Sequence, residues 1–200
     1  MKLIICSLFS ICFCLSLYAQ NDQEPTDSEK RLDSFTEAKR HELSLDVLAG
    51  LGIPAFQPRY EYILGRYAGV GIDVFIDLSA NDIDYSDLEH FSITPFYRQY
   101  FFSKEDYGAK GFYGEGFLKA YSFEDSFYEY NSMGVDRVDE GSYFETAIGI
   151  GIGWKWVSNS GFMIDVGLGI GRNLGFADIP EDNYRPEVIP RGGVHFGWRF

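Results

Sequence analysis

The sequence is poor in cysteine, and the little it has lies at the N-terminus. Its 200 residues contain three cysteines, the last of which is Cys14. They fall in an apolar run that follows a lysine at position 2 and precedes the cleavage-like pattern LYA at 17–19, an arrangement typical of a secretory signal. We expect residues 1–19 to be a signal peptide that is cleaved on export, so the exported chain has no cysteine and a disulfide framework is excluded.

Basic residues are also scarce, and no long hydrophobic run follows the signal. Lys and Arg number 17 against 30 Asp and Glu, which gives a formal charge of -13 at pH 7. Nucleic-acid binding needs clustered cations to meet the phosphates, so we expect no nucleic-acid partner. No later stretch approaches the roughly 20 apolar residues of a membrane-spanning helix.

Sequence patterns that accompany catalysis are absent as well. The three histidines, His41, His90 and His195, are far apart in the chain. No H-E-x-x-H, G-x-S-x-G or phosphate-binding glycine loop occurs. The sequence therefore predicts a protein that is not an enzyme and that has no cofactor and no metal site.

Glycine and aromatic residues are what the sequence has in excess, with 22 glycines and 18% Phe, Trp and Tyr. The polar, aperiodic residues 20–41 predict a flexible periplasmic N-terminal arm. From residue 42, apolar and polar residues alternate with a period of two, which predicts β-strands. Turn residues divide this pattern into eight strands. They are Glu42–Leu51, Arg59–Leu64, Gly69–Leu78, Phe91–Phe102, Gly111–Ser122, Tyr143–Trp156, Phe162–Arg172 and Glu187–Phe200.

The connections between these strands alternate in length. Those after even-numbered strands are mostly short and those after odd-numbered strands are long, with the first connection, Gly52 to Pro58, as the exception. An up-and-down antiparallel barrel in an outer membrane has short turns at one rim and longer loops at the other. We therefore predict an all-β fold, an eight-stranded antiparallel up-and-down transmembrane β-barrel, over residues 42–200.

One face of the alternating strands carries charges of both signs among its glycines. Seven acidic and six basic residues nearly cancel on this inward face, although the whole chain is acidic. Because buried charges need partners and eight strands enclose room only for side chains, we predict a plugged, ion-paired lumen. Asp46, Arg59 and Asp77 share the inward face with the ten residues predicted to form its charge network. Those ten are Glu61, Asp73, Arg98, Glu115, Lys119, Glu145, Lys155, Asp165, Arg191 and Arg199.

The opposite, outward face is apolar, and its aromatic residues lie near the strand ends. Aromatic girdles at both membrane interfaces are typical of outer-membrane barrels, so we expect this face to contact lipid. The aromatic residues predicted on it are Tyr60, Tyr62, Tyr97, Phe101, Phe112, Phe144, Trp154, Trp156, Phe162, Phe196, Trp198 and Phe200.

Three stretches resemble a known class of protein: ITPFYRQYFF at 93–102, KGFYGEGFLKAY at 110–121 and the closing VHFGWRF at 194–200. The chain resembles the small outer-membrane β-barrel proteins of Bacteroidetes-type bacteria, including a family of unknown function. Its architecture is similar to that of the transmembrane half of outer-membrane protein A. The resemblance implies an outer-membrane location and a structural or surface-interaction role.

The resemblance also implies partners and an assembly signal. Proteins of this class contact outer-membrane lipid and lipopolysaccharide and are inserted by the outer-membrane barrel assembly machinery, and we expect a monomer. That machinery recognises alternate apolar residues and a final Phe in the last strand. The residues that match this pattern are Val194, Phe196, Trp198 and Phe200.

A secreted, lipocalin-like barrel that binds a small apolar ligand is one alternative function. Such a barrel shares the alternating strands but reverses their faces, since its cavity must be apolar. It would have to turn Ile148, Ile150, Leu168 and Val194 inward. The direction of the two faces therefore distinguishes it from a membrane barrel.

A lipid-modifying outer-membrane barrel enzyme is the other alternative. Its candidate site at the rim is His90 with Asp87 and Ser92. The acidic run over 82–89 lacks the glycine and final glutamate spacing of a known Ca²⁺ loop, so it predicts a solvated acidic loop. The same prediction holds for the stretch from Glu124 to Glu140.

Overall fold

The chain folds into a closed antiparallel β-barrel. The computed structural model describes residues 26–52, 54–78, 89–101, 108–131, 134–177 and 187–200. These residues form two helices, α1 (Asp27–Ala38) and α2 (Val47–Gly52). Their strands are β1 (His41–Asp46), β2 (Ala55–Phe56), β3 (Pro58–Gly65), β4 (Ala68–Asp77), β5 (Glu89–Phe101), β6 (Gly111–Asn131), β7 (Gly134–Val157), β8 (Phe162–Asn173) and β9 (Val188–Arg199).

The barrel closes because its first and last strands pair. β1 lies between β3 and β9, and its pairs with β9 run from Glu42 with Arg199 to Asp46 with His195. β4 pairs with β5, and each later strand pairs with the next around to β9. β2 continues β3 beyond Gln57, because both pair with β4 in one register. The predicted all-β fold with an eight-stranded antiparallel barrel is confirmed.

The first predicted strand, Glu42–Leu51, is wrong in its second half. β1 ends at Asp46, and the next six residues form α2. The Asp46 carboxylate explains the change, since its Oδ1 accepts the backbone N–H groups of Leu48 at 2.8 Å and Ala49 at 3.4 Å and so caps the first helical turn. The first connection therefore lies over 47–54 and contains α2, and it remains the exception to the alternation of connection lengths.

The stretch between the fifth and sixth barrel strands also differs from its prediction. The sequence predicts a solvated acidic loop over Glu124–Glu140, but β6 and β7 continue through this stretch as a paired ribbon that reaches Asn131 and Gly134. The density of acidic residues suggested a loop. The aromatic residues of SFYEY at 126–130 favour a strand, and pairing between adjacent antiparallel segments outweighs the charge.

A helix occupies part of the predicted flexible arm. α1 covers twelve residues, DSEKRLDSFTEA, and begins where the carbonyl of Thr26 accepts the N–H of Lys30 at 2.9 Å. Glu, Lys, Arg, Leu and Ala have high helix propensity. The segment shows no apolar periodicity, so the sequence pattern does not indicate this helix. The predicted signal peptide, 1–19, and residues 20–25 of the arm lie outside the described residues.

The two rims of the barrel differ. The short-turn rim contains the β3–β4 turn at Arg66 and Tyr67 and the β7–β8 turn over 158–161. It also contains both ends of the barrel sequence, because His41 N–H donates to Phe200 O at 3.0 Å and Phe200 N–H donates to His41 O at 2.8 Å. The opposite, long-loop rim contains α2 and the ends of β4, β5, β8 and β9.

Candidate functional site: the charged barrel interior

Ten inward side chains meet in one network of ion pairs, defined here as the interior network. Its carboxylates and cations are equal in number, so the formal charges cancel, as a desolvated interior requires. The carboxylates are those of Glu42, Glu61, Asp73, Glu115 and Asp165, and the cations are those of Arg59, Arg98, Lys155, Arg191 and Arg199.

Arg98, on β5, is the centre of the interior network. Its Nε donates to Glu115 Oε2 at 2.7 Å, and one terminal nitrogen donates to Glu61 Oε2 at 2.9 Å and to Asp165 Oδ2 at 2.6 Å. The guanidinium carbon lies 4.2 Å from the centroid of the Tyr113 ring, a cation–π contact. With only 1% of its surface exposed, Arg98 joins carboxylates from three other strands.

Arg59 and Arg191 extend the interior network to Asp73. Arg59 donates to Asp73 Oδ2 through Nε at 3.1 Å and through a terminal nitrogen at 2.6 Å, and its other terminal nitrogen donates to Asp165 Oδ2 at 3.1 Å. Arg191 lies 3.3 Å from Asp73 Oδ2 and 3.0 Å from Glu115 Oε1. Each carboxylate here therefore contacts two cations, so removing one cation weakens several pairs.

A second part of the interior network closes the lumen at the short-turn rim. Lys155 Nζ donates to Glu42 Oε2 at 2.6 Å and to Glu61 Oε2 at 2.8 Å. Arg199 contacts Glu42 Oε1 at 2.6 and 2.5 Å through Nε and a terminal nitrogen. Its terminal nitrogens also donate to the carbonyl oxygens of residues 108 and 109, at 2.6 and 2.8 Å. Residues 108 and 109, just before β6, are thus held across the lumen.

Two buried tyrosines complete the hydrogen bonding of the carboxylates. The Tyr100 hydroxyl donates to Glu61 Oε1 at 2.5 Å, and the Tyr113 hydroxyl donates to Asp165 Oδ1 at 2.7 Å. Their rings pack edge to face with centroids 5.6 Å apart. Both oxygens of these two carboxylates therefore have partners, which is the condition for burying charge without a large penalty.

Inward glycines on β7 make room for the large side chains of β6. A Cβ at Gly153 would lie 2.3 Å from the Tyr113 ring, and one at Gly149 would lie 2.2 Å from the Phe117 ring. No real Cβ comes so close to another atom. The first and last glycines of GIGIG, Gly149 and Gly153, are therefore required by the side chains that fill the lumen.

The substitution Gly153→Ala tests this packing. The added methyl would also lie 2.6 Å from the carbonyl oxygen of Val166, so both the Tyr113 ring and the backbone must shift. We expect a loss of about 1–3 kcal/mol in the free energy of unfolding, measured by urea titration of the folded protein in detergent micelles. Gly116→Ala is the matched control, because nothing lies within 4 Å of a Cβ at that position on the neighbouring strand. Equal losses in the two variants would contradict the packing role of Gly153.

The structure brings together eight of the ten residues predicted to form the charge network and places Lys119 and Glu145 apart from them. Lys119 forms an ion pair with Glu89 near the long-loop rim. The Glu145 carboxylate instead accepts the backbone N–H of Phe176 at 3.0 Å and so holds the chain that follows β8. Both lie closer to the long-loop rim than the interior network does. The alternation of residues predicts the face on which a side chain lies but not its height along the barrel.

Glu42 and Arg59 belong to the interior network but were not among the ten. The alternation places Arg59 on the inward face, and Arg59 pairs directly across the strands with Asp73. Glu42 was missed, although Asp46 had been assigned to that face and a period of two places residue 42 beside it. Glu42 pairs across the closing seam with Arg199, and this contact depends on a register that the sequence does not specify.

The other candidate sites are only partly described. His90 Nδ1 lies 3.6 Å from Asp77 Oδ2, and Ser92 is buried on the inward face of β5. Asp87 and the acidic run as far as residue 88 lie outside the described residues. Within the described ranges, no group of three or more His, Cys, Asp or Glu side chains could hold a metal ion.

The outer wall of the barrel is apolar. Ile148, Ile150 and Leu168 are 57%, 70% and 65% exposed on it, and Val194 is half-buried. Of the twelve aromatic residues predicted on this face, ten are exposed, while Tyr62 and Phe162 are half-buried. The barrel thus has charged side chains inside and apolar side chains outside.

The last strand contributes to this wall and to the closing seam. Phe196, Trp198 and Phe200 are exposed on the outer wall. The Phe200 ring stacks on His41, with centroids 6.0 Å apart and planes inclined by 20°. Phe200 therefore closes the barrel through its main chain and covers the seam with its ring.

Among the described residues, no helix is long and apolar enough to cross a membrane. No protein-family model, curated protein or solved structure matches this chain. The resemblance to outer-membrane barrels is therefore supported by the eight-stranded antiparallel architecture alone.

Proposed function

We propose that this chain is a monomeric outer-membrane β-barrel protein whose lumen is plugged by the interior network, with a structural or surface-interaction role and no catalysis. Outer-membrane lipid and lipopolysaccharide contact its wall, and the barrel assembly machinery inserts it. The observation that carries the proposal is the reversal of polarity between interior and wall. Soluble monomers seldom expose continuous apolar patches larger than a few hundred Å².

The apolar part of β7 is long enough to span the hydrocarbon layer of an outer membrane. On β7, Phe144 lies near the long-loop rim and Trp154 near the short-turn rim, and the exposed residues between them are Ile148, Ile150 and Ile152. Ten residues at a rise of about 3.4 Å and a strand tilt of about 40° give a height of about 26 Å, close to the apolar band of about 25 Å in outer-membrane barrels. Aromatic residues thus flank an aliphatic band of the right height.

The faces of the barrel also support lipid contact over an internal ligand site. A lipocalin-like cavity needs Ile148, Ile150 and Leu168 inside, and these three lie on the outer wall. The space inside is instead occupied by Arg98, Tyr113 and their partners. A plugged lumen leaves the long-loop rim as the surface that meets other molecules.

Fractionation with heat-modifiable migration tests the proposal. We expect the protein in the outer-membrane fraction, extracted only by detergent, because its wall is apolar. Unboiled samples should migrate differently from boiled ones on a denaturing gel, because a closed barrel held by the interior network resists unfolding by detergent. Recovery of soluble monomer from periplasm or medium without detergent would refute the membrane location.

The role of Phe200 in assembly can be separated from its role in the seam. Phe200→Ala keeps the two main-chain hydrogen bonds to His41 and removes the ring that the assembly machinery would recognise. We expect much less folded barrel in the outer membrane of cells, with nearly unchanged refolding of purified protein into detergent micelles. His41→Ala is the control, since it removes the stacked partner and keeps the final Phe. Equal membrane levels for the two variants would show that the ring is not an assembly signal.

A further inference from the structure

His195 is a buried histidine on the inward face of β9. Its side chain is 1% exposed, and neither ring nitrogen has a hydrogen-bond partner among the described residues. The nearest charged atoms are Asp46 Oδ2 at 3.8 Å and Asp73 Oδ2 at 3.9 Å from Nε2, beyond hydrogen-bond range. Because buried polar atoms in folded proteins are almost always hydrogen-bonded, two unsatisfied nitrogens on one ring call for a further partner.

A small cavity lies beside this imidazole. Its volume is about 10 Å³, and the charged side chains of Arg59, Arg98, Glu115 and Arg191 line it together with His195. The rest of its wall includes the glycine-rich backbone of β7, β8 and β9. A polar cavity of roughly 10–15 Å³ holds one water molecule when two to four polar groups surround it. The cavity meets both requirements.

We propose that this cavity binds a single ordered water molecule that hydrogen-bonds the imidazole of His195. A neutral imidazole has one donor and one acceptor nitrogen, and water can complement either of them. Arginine N–H groups and the Glu115 carboxylate line the same space, so the site offers both donors and acceptors. Water satisfies both kinds of group, whereas a chloride ion could accept from the lining arginines but has no hydrogen to donate to the Glu115 carboxylate.

The water would connect the interior network with the end of β1. Asp46 faces His195 through Oδ2, while its Oδ1 caps α2 and accepts the N–H of Val194 at 3.3 Å. Gly193 permits this arrangement, since a Cβ there would lie 1.7 Å from Asp46 Oδ2. A water that fixes the His195 ring therefore also fixes the surroundings of the carboxylate at which the strand ends and the helix begins.

A high-resolution crystal structure of the full protein in detergent tests the proposal directly. We expect one density peak in the cavity, within about 3.2 Å of a His195 ring nitrogen, with no anomalous signal after a bromide soak. An anomalous bromide peak at that position would show that the cavity binds an anion and not water, and it would overturn the proposal. A cavity without density would overturn it as well.

Variants test the same site in solution, where a long-lived water gives a cross-peak to nearby amide protons in hydration NMR spectra. Gly151→Ala places a methyl against the cavity, 3.1 Å from Leu168 O and 3.7 Å from the Glu115 Cβ, a fit that needs only a small shift. We expect this variant to lose the cross-peak and Gly116→Ala, in open space on the neighbouring strand, to keep it. If Gly151→Ala does not fold, His195→Leu removes the polar partner and should also abolish the cross-peak. A cross-peak that survives in the folded cavity variant would place the water elsewhere.

Discussion

Arg98→Met is expected to remove about 3–5 kcal/mol from the free energy of unfolding. The arginine is the shared partner of Glu61, Glu115 and Asp165, and methionine fills much of its volume without its charge. After the substitution the interior network holds one more carboxylate than cations. The cost is large because the surplus negative charge lies in a lumen closed to water at the short-turn rim by Arg199.

A second substitution separates the loss of charge from the loss of packing. Glu115→Gln in the Arg98→Met background restores the charge balance. The new amide oxygen can still accept a hydrogen bond from Arg191 Nε, which lies 3.0 Å from Glu115 Oε1 in the wild type. We expect the double variant to be more stable than Arg98→Met alone. Urea titration in detergent micelles of the wild type, Arg98→Met, Glu115→Gln and the double variant completes a double-mutant cycle, which gives the coupling energy.

Arg172→Met is the matched control for Arg98→Met. Arg172 pairs with Glu187 at 3.2 Å, but both side chains are more than 70% exposed, so we expect a change within about 0.5 kcal/mol. Similar losses for Arg98→Met and Arg172→Met would contradict a network whose strength comes from burial. If Arg98→Met does not fold, Arg98→Lys keeps the charge and should fold with a smaller loss.

Alternation predicted most of the interior network because it is a local property of the chain. A period of two assigns each residue to the inward or outward face without knowledge of its neighbours. Arg98, Glu115 and Asp165 were assigned in this way, and the structure buries all three. The sum of charges on the inward face then indicated ion pairing before any pair was known.

Which residues pair could not be predicted, because pairing depends on register and on distances across the lumen. Lys119 and Glu145 lie on the inward face of long strands, but they are too near the long-loop rim to reach the interior network. Glu42 meets Arg199 only because β1 and β9 close the barrel, a contact between residues 157 positions apart. Closure of this kind leaves no local signal in the sequence.

The end of β1 was mispredicted for a different reason. The residues VLAGLG can extend a strand or form a short helix, and alternation favoured the strand. The Oδ1 atom of Asp46 stabilises the helix, because it accepts hydrogen bonds from two backbone N–H groups in the first turn of α2. An aspartate before an apolar run is a known helix-start signal, so this helix could have been predicted.

Ile150→Lys is expected to reduce the free energy of unfolding in lipid vesicles by about 2–4 kcal/mol. Ile150 is 70% exposed and lies between Gly116 and Ile170 on the neighbouring strands, near the middle of the apolar wall. A lysine there must remain charged within hydrocarbon or extend to a distant interface. If the outer wall were surrounded by water, the same lysine would be solvated at almost no cost in the free energy of unfolding.

A series of lysine substitutions along β7 distinguishes a bilayer from any other apolar environment. The outward positions Phe144, Ile148, Ile150, Ile152 and Trp154 sample the wall from rim to rim. We expect the loss to be greatest for Ile148→Lys, Ile150→Lys and Ile152→Lys and to fall to about 0–1 kcal/mol near the interfaces. Denaturant titration in vesicles, followed by tryptophan fluorescence, gives the free energy at each position.

Ile150→Leu controls for the loss of the isoleucine, since it keeps an apolar side chain of the same size, and it should leave stability nearly unchanged. A loss that did not depend on depth would contradict a bilayer around the wall. A bilayer would also be contradicted if the Ile150→Lys protein were as stable as the wild type and more soluble in buffer, because that result fits a barrel surrounded by water. The profile depends on the apolar wall and Arg98→Met depends on the charged lumen, so the two experiments test the outside and the inside of the barrel independently.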